Sequence, residues 1–381
     1  MKNDLLTIGI PAEIKDHENR VAATPETVKK MVALGCQVIV QKGAGERANV
    51  TDSAYLTAGA ILVSAKDVYQ ANIILKVRAP EPNEISAMPA GTALIGLLEP
   101  YNQMQLQSIA QQGITAFALE ALPRNSRAQS MDVLSSQANV AGYKAVLLAS
   151  HFYQRFMPLL MTSAGTVKAA RVLILGAGVA GLQAIATAKR LGAVVEASDV
   201  RPAVKEQIES LGAKFLDVPF ETEEEREAAA GVGGYARPMP AAWMARQAQL
   251  VALRASEADI VISSALILGR EPPILLHAET VEKMKVGSVI IDMAAGTSIT
   301  GAGNCPLTEA NKVIVKYGVT IVGFTNLPSL VAADASAFYA RNMLEFLKLL
   351  IVDGKFNIPV DDELVSASLM CKDGIIIEKK P

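Results

Sequence analysis

Short apolar runs alternate with segments of helical periodicity along most of the chain. In its first third, runs that predict buried strands lie within LLTIGIP, CQVIVQKG, ANIILKV, TALIGLL and ITAFALEAL. Between the first two, TPETVKKMVALG predicts a helix, because Thr24 can cap it, Pro25 suits its first position and Gly35 can end it. Such alternation is typical of an α/β domain with a mostly parallel sheet.

A second α/β unit begins near Arg171. RVLILG predicts a strand, VAGLQAIATAKRLG a helix and AVVEASD the next strand, followed by a helix over PAVKEQIESLG and a short strand in AKFLDV. Later runs in ADIVISSAL, GSVIIDMA and VTIVGF are apolar throughout, which suits strands buried on both faces. The fold class that we predict is therefore α/β, with two Rossmann-like domains and mostly parallel sheets.

Two long apolar segments with helical periodicity, 133–157 and 328–352, indicate helices that join the two domains. The residues from Asp353 onward would then return to the first domain. We predict an N-terminal domain of residues 1–135 plus 345–381. The second domain, 136–344, includes the linking helices and is inserted into the first. Residues 220–249 do not fit the sheet pattern and predict an acidic helical start followed by a long projecting loop.

Composition excludes several classes of function. The net charge of −2 points to neither nucleic acid nor an acidic membrane surface. The three cysteines and three histidines are scattered, so we predict no metal site and inert thiols in a reducing compartment. The N-terminus lacks the features of a signal peptide. Residues 169–188 are apolar enough to resemble a membrane span, but their glycine spacing predicts a strand, a turn and a helix.

GAGVAG, residues 176–181, follows a predicted strand and opens a predicted helix. In that context Gly176 allows a tight turn, Gly178 lets the backbone approach a pyrophosphate, and Gly181 allows close packing of helix and strand. The N–H groups at the start of the helix, at Val179 and Ala180, suit phosphate. The motif predicts a dinucleotide site.

Asp199 ends the next predicted strand, where a carboxylate can accept ribose hydroxyls and repel the extra phosphate of NADP. The expected cofactor is therefore NAD(H). Arg201 could instead welcome that phosphate, or it could cover the adenine. A second polar feature, PRNSRAQSMD at 123–132, separates a predicted strand from a long helix. It is either a solvated connector or a loop that holds a polar ligand.

GAGVAGLQAIATAKRLGAVVEASDVR, PRNSRAQSMD and AGTVKAARVLILG, together with GGYARPM and GNCPLTE, resemble domain I of proton-translocating nicotinamide nucleotide transhydrogenase. Domain I is the NAD(H)-binding component, and the resemblance covers essentially the whole chain. It implies direct hydride transfer between NADH and NADP⁺, the latter held as NADP(H) on a partner domain. Proton translocation would occur in a separate transmembrane domain, so the chain would be catalytic only within a complex. The resemblance also implies a homodimer, cytoplasmic and peripheral to the inner membrane.

The resemblance assigns the positioning of the nicotinamide to Arg124, Gln129 and Asp132. It implies a mobile loop in GGYARPMP, with Tyr235 as its anchor and Met239 as an apolar contact. The NAD(H)-binding residues that we predict are Arg124, Gln129, Asp132, Ser135, Ser136, Gly176, Gly178, Val179, Ala180, Gly181, Asp199, Val200, Arg201, Tyr235, Ala265 and Leu266. The segment 293–303 is longer and less acidic than the family pattern, which leaves its contacts open.

IGIPAEIKDHENRVAATPETV is shared with the related alanine dehydrogenases, so an amino acid oxidoreductase is an alternative. That family's pattern has a histidine where this chain has Leu98, Glu99 and Pro100, and an acid in the segment after Asp292 that is uncharged here. Arg20 and Lys76 match that family's substrate-binding pair, although we interpret them as cations that stabilise the fold. A non-catalytic NAD(H)-sensing module is the third interpretation.

Overall fold

The computed structural model describes residues 5–230, 239–266 and 271–378. Within these residues the strands are β1 (Thr7–Ile10), β2 (Gln37–Gln41), β3 (Ile61–Val63), β4 (Ile73–Leu75), β5 (Ala93–Gly96), β6 (Thr115–Ala118), β7 (Leu160–Thr162), β8 (Gly165–Val167), β9 (Arg171–Leu175), β10 (Val194–Ser198), β11 (Lys214–Phe215), β12 (Ile260–Ser263), β13 (Val289–Asp292), β14 (Val313–Lys316), β15 (Val319–Val322), β16 (Ile351–Val352), β17 (Lys355–Phe356), β18 (Leu369–Lys372) and β19 (Ile375–Ile376). The α-helices are α1 (Pro25–Ala33), α2 (Asp52–Thr57), α3 (Pro82–Ala87), α4 (Gln103–Gln111), α5 (Val133–Phe152), α6 (Val179–Arg190), α7 (Lys205–Ser210), α8 (Glu223–Ala230), α9 (Ala241–Glu257), α10 (Ala278–Glu282), α11 (Ala332–Leu350) and α12 (Glu363–Ser368).

The chain divides into two compact units by its internal contacts. Unit 1 consists of Met1–Gln137 and Pro328–Pro381, and unit 2 is the uninterrupted segment Ala138–Leu327. The first boundary lies close to the predicted 135/136. The second differs from the predicted 344/345, because all of α11 belongs to unit 1. Its side chains Tyr339, Met343 and Leu347 are buried in the core of that unit.

Unit 1 contains a sheet with the strand order β19-β18-β6-β5-β4-β1-β2-β3. The pairs from β6 to β3 are parallel, whereas β18 pairs antiparallel with both β6 and β19. Residues after Asp353 therefore complete this sheet. Phe117 of β6 packs against Phe346 of α11 with ring centroids 5.8 Å apart, which ties the late helix to the early strands.

Unit 2 contains a sheet with the order β11-β10-β9-β12-β13-β15-β14, parallel except for the antiparallel pair β14–β15. From the central strand β9 the chain runs outward to β10 and β11, then returns to build β12 and β13 on the other side. Doubly wound sheets of this kind open a crevice at the carboxyl ends of the two strands where the direction reverses, here β9 and β12. The predicted α/β class with mostly parallel sheets is confirmed.

The segments that sequence reasoning treated as exceptional have definite structures where they are described. The first long helix is α5, which crosses from unit 1 into unit 2, and the second is α11, which lies wholly in unit 1. Most of 220–249 is not a loop, since α8 and α9 occupy its two ends. The predicted anchor Tyr235 and the rest of 231–238 lie outside the described residues.

The expectations about thiols, metals and membranes concern separate features. Cys36, Cys305 and Cys371 are buried free thiols. Over the described ranges, no group of three or more His, Cys, Asp or Glu side chains could hold a metal ion. Nor does any helix in those ranges have the length and apolar character needed to cross a bilayer. The apolar window 169–188 forms β9, a turn and most of α6.

Candidate functional site

The glycine-rich turn after β9 has three glycines with different physical reasons. Gly176 has a φ of +92°, in the left-handed region that favours glycine. A Cβ on Gly181 would lie 1.9 Å from the Gly176 carbonyl oxygen, so only glycine allows α6 to pack this close to the turn. Gly178 has an ordinary φ of −73°, and a Cβ there would meet nothing within 4 Å. The protein itself explains the first and third glycines, whereas the second leaves open space at the start of α6.

That open space lies at the N-terminus of a helix of 12 residues, α6. The first N–H groups of a helix have no partner within it, and the helix dipole adds partial positive charge there. Val179 and Ala180 form the first turn, and Val179 is 40% exposed. A Cβ on Gly142 of α5 would lie 2.1 Å from the Ala180 carbonyl oxygen, so α5 packs closely against this turn. The residues present fit a pyrophosphate in front of Gly178.

Asp199, directly after β10, holds the turn in place. Its Oδ2 accepts from the Ala177 N–H at 2.8 Å, and its Oδ1 accepts from the Arg201 N–H at 2.9 Å. The Arg201 guanidinium donates to both carboxylate oxygens, each at 2.9 Å, with Val200 between the two residues. A carboxylate has about four acceptor positions, and all are used here. Ribose hydroxyls could bind Asp199 only after Arg201 moves aside.

The segment after β12 forms the other side of this turn. Ser264 Oγ donates to the Gly176 carbonyl oxygen at 2.9 Å. A Cβ on Gly176 would lie 3.2 Å from the Ala265 nitrogen, and the next residue, Leu266, is 44% exposed. Unit 2 thus brings together the predicted residues of the glycine motif, Asp199 and Ala265 at the carboxyl ends of β9, β10 and β12.

The polar loop in unit 1 borders an open pocket of about 330 Å³. The lining residues are Pro123, Arg124, Asn125, Ser126, Ala128, Gln129 and Asp132. Arg124 and Gln129 are exposed, whereas Asp132 caps α5. Its Oδ1 accepts from the Ser135 N–H at 2.8 Å and its Oδ2 from the Ser135 hydroxyl at 2.5 Å. Of the predicted serines, Ser135 therefore supports Asp132, and Ser136 donates to the Val133 carbonyl oxygen at 3.2 Å.

The loop is fixed at several points along its length. Asn125 Oδ1 accepts from the Ala128 N–H at 3.0 Å, and Asn342 of α11 donates to the Ser130 carbonyl oxygen at 2.7 Å. Arg127, which we expected at the surface or an interface, pairs with Asp362 and is half exposed. These contacts make the segment an ordered presenting surface, which is more than a solvated connector requires.

Arg20 and Lys76 are both buried against carboxylates in unit 1. Lys76, 1% exposed, lies 2.6 Å from Glu84 and 3.2 Å from Glu13. Burial alone would lower the pKa of Lys76, but Glu13 and Glu84 raise it above its usual value. Arg20 forks onto Glu18 at 2.6 and 2.8 Å. Both cations are engaged as fold-stabilising residues would be.

Sequence reasoning missed Glu120, which follows β6 just before the polar loop. Its Oε1 accepts from the Glu99 N–H at 2.7 Å, at the position where alanine dehydrogenases have a histidine. Among the described residues, its buried Oε2 has no hydrogen-bond partner. Burial raises the pKa of Glu120 to about 7. Glu99 itself has a φ of +56° and pairs with Lys15 at 3.4 Å, so this region carries a buried acid and no imidazole.

Comparison with known proteins agrees with the features just described. The family model for the N-terminal domain of alanine dehydrogenase/PNT matches residues 9–141, and the model for the C-terminal domain matches 145–379. In Rhodospirillum rubrum, the first of the separate chains that make up NAD(P) transhydrogenase subunit alpha is 47% identical, covering 98% of both chains. The crystal structure of a transhydrogenase from Sinorhizobium meliloti superposes with a TM-score of 0.84 at 43% identity, covering 97% of this chain and 98% of that one.

Alanine dehydrogenases are more distant relatives. The alanine dehydrogenase of Halomonas elongata is 30% identical, covering 97% of this chain and 94% of its own. The resemblance drawn from the sequence motifs is confirmed at the level of the family. The chain belongs to the alanine dehydrogenase/PNT family, with transhydrogenase alpha subunits among its relatives.

Proposed function

We propose that the chain is the NAD(H)-binding subunit of a proton-translocating transhydrogenase. It binds NAD(H) at the glycine turn of unit 2 and takes part in hydride transfer to or from NADP(H) on a partner domain. The observation that carries the proposal is Gly178, because the fold itself does not need a glycine there. The open space in front of α6 fits a pyrophosphate, and the Asp199 carboxylate next to it suits a ribose without a 2′-phosphate.

The chemistry needs placement more than acid–base groups. Hydride passes directly from the C4 carbon of one nicotinamide to that of the other, so no substrate proton has to be removed. Arg124, Gln129 and Asp132 share one pocket, with Asp132 held by Ser135. The Arg124 guanidinium offers a planar fork to a carboxamide or ribose oxygen. Gln129 is exposed and can both donate and accept, which suits a group that bridges two nucleotides.

The alternative of amino acid oxidation gains no support from the site. Its histidine position is taken by Glu99, which makes structural contacts. The matching cations Arg20 and Lys76 are occupied by buried carboxylates. A substrate carboxylate would have to compete with partners that are already desolvated beside each cation.

The rest of the proposal concerns assembly. The subunit works within a complex that also contains an NADP(H)-binding domain and a transmembrane domain that carries protons. It is a homodimer, peripheral to the inner membrane on the cytoplasmic side. Residues 1–135 and 345–381, with 136–344 inserted, remain our proposal for the evolutionary domains. Tyr235 is proposed to close over bound nucleotide.

The proposal is tested by mixing the full chain with a purified NADP(H)-binding domain from a related transhydrogenase. Hydride transfer between NADH and NADP⁺ is followed in the mixture and in each protein alone. Activity only in the mixture supports the proposal. Alanine-dependent formation of NADH by the chain alone would favour an amino acid oxidoreductase. NADH binding with neither activity would leave a sensing module.

A further inference from the structure

The side chain of Asn304 clamps the backbone that follows β12. Asn304 is completely buried. Its Oδ1 accepts from the Ala265 N–H at 3.2 Å, and its Nδ2 donates to the Ala265 carbonyl oxygen at 2.8 Å. The same Nδ2 donates to the Pro273 carbonyl oxygen at 2.9 Å. One amide thus fixes both polar backbone groups of Ala265 and holds a second stretch of chain beside them.

Asn304 is itself held by Asp292, the last residue of β13. Asp292 is completely buried, and its Oδ1 accepts from the N–H groups of Asn304 and Ala294, each at 3.1 Å. Its Oδ2 accepts from the Cys305 N–H at 3.0 Å and from the Thr308 hydroxyl at 2.7 Å. The carboxylate therefore organises the loop from Ala294 to Thr308 and fixes where the Asn304 amide can point.

The clamped backbone borders the glycine turn. Ser264 donates to the Gly176 carbonyl oxygen, and the Ala265 nitrogen is the next neighbour of that glycine. Strand β12 lies on one side of β9, whereas β10, which leads to Asp199, lies on the other. In doubly wound sheets a dinucleotide spans this reversal, with its adenosine on the side of the acidic residue. Ala265 thus borders the side on which the nicotinamide half lies.

We propose that Asn304 is a positioning residue for the nicotinamide half of the dinucleotide. This inference rests on the proposed binding of NAD(H) in unit 2. Asn304 touches no ligand itself. It sets the height and direction of the Ala265 backbone, against which the nicotinamide ribose packs. A structural role alone would affect both halves of the ligand, whereas a positioning role affects only the half beside Ala265.

The test compares two ligands on the full chain by calorimetry. NADH contacts both sides of the reversal, whereas 5′-AMP contacts only the adenosine side. Asn304→Ala removes all the amide hydrogen bonds. Asn304→Asp keeps the shape and the acceptor for the Ala265 N–H but loses the donor to two carbonyl oxygens. Thr308→Val is the matched control, because it removes a bond to the same Asp292 without touching Ala265.

For both Asn304 variants we expect NADH to bind about tenfold more weakly, and 5′-AMP within about twofold of the wild type. Thr308→Val should leave the ratio of the two affinities unchanged. An equal loss for both ligands in the Asn304 variants, or no loss for NADH, overturns the positioning role alone. Failure of the wild type to bind NADH would overturn the proposed function as well.

Discussion

Gly178 and Gly181 are three residues apart in one motif, yet alanine should have opposite effects at the two positions. At Gly178 the φ of −73° is open to any residue, and a Cβ meets nothing within 4 Å. The unfolding free energy of Gly178→Ala should therefore lie within about 1 kcal/mol of the wild type. At Gly181 a Cβ would lie 1.9 Å from the Gly176 carbonyl oxygen and 2.9 Å from its carbon. Since the contact is with backbone, α6 must shift.

Overpacking of a well-fitted site typically costs about 1–3 kcal/mol. In Gly181→Ala that cost falls on folding, so the Tm of unit 2 should drop by at least about 5 °C. In Gly178→Ala the same methyl group meets only the pyrophosphate. There we expect NADH affinity to fall about tenfold or more, with the Tm almost unchanged.

Each variant is characterised by calorimetric melting without nucleotide and by titration with NADH followed by fluorescence. Gly181→Ala serves as the matched control, because it adds the same methyl group to the same turn. Unchanged NADH affinity in Gly178→Ala would refute the assignment of the open space to a pyrophosphate. A Tm in Gly178→Ala as low as that of Gly181→Ala would refute the claim that the fold does not need this glycine.

Three further predictions concern single side chains. Gln129→Ala should leave NADH affinity within about twofold but slow transfer to the partner nucleotide about tenfold, because the exposed amide serves the transfer geometry. An unchanged rate, or an equal effect of the exposed control Gln107→Ala, would contradict that role. Asp199→Ala should weaken NADH binding about tenfold by titration through loss of a charge-assisted bond to ribose, and undiminished affinity would count against that contact. Burial raises the pKa of Glu120 from 4.5 to about 7, so folding favours the protonated acid. This stabilisation is complete below pH 4.5 and is lost as pH rises through 7. Glu120→Gln should therefore raise the unfolding free energy, measured by denaturant titration, more at pH 8 than at pH 5, by about 2–3 kcal/mol at most, whereas the exposed Glu282→Gln should show no such difference.

Hydrophobic periodicity was sufficient for the strands that are buried on both faces. Such strands, for example β9 and β13, are continuous apolar runs, and their chain order with intervening helices predicts parallel pairing. The strands β3, β7, β8 and β14 were not predicted, because each is short and largely exposed. Their apolar residues carry too weak a pattern to be distinguished from connecting segments.

The candidate site divides in the same way. The glycine motif and Asp199 are recognisable because their function depends on local spacing along one strand–turn–helix unit. Asn304 reaches a partner 39 residues earlier in the chain, and Glu120 accepts from one 21 residues earlier. Pairings of that kind depend on how the strands assemble, which no local pattern records. The only sequence signal was the polar GNCPLTE, whose contacts the motif alone did not reveal. The role of Tyr235 stays a prediction.

The strand order of unit 1 also bears on how the chain matures during synthesis. Strand β18 covers the edge of β6, and Cys371 reaches the carbonyl oxygen of Ile114, 257 residues earlier. A ribosome delivers every strand of unit 2 before it makes β18. Until then β6 is an open edge, the kind of surface on which chains pair wrongly. A nascent chain that stalls before residue 369 should thus carry a finished unit 2 beside an unfinished, aggregation-prone unit 1.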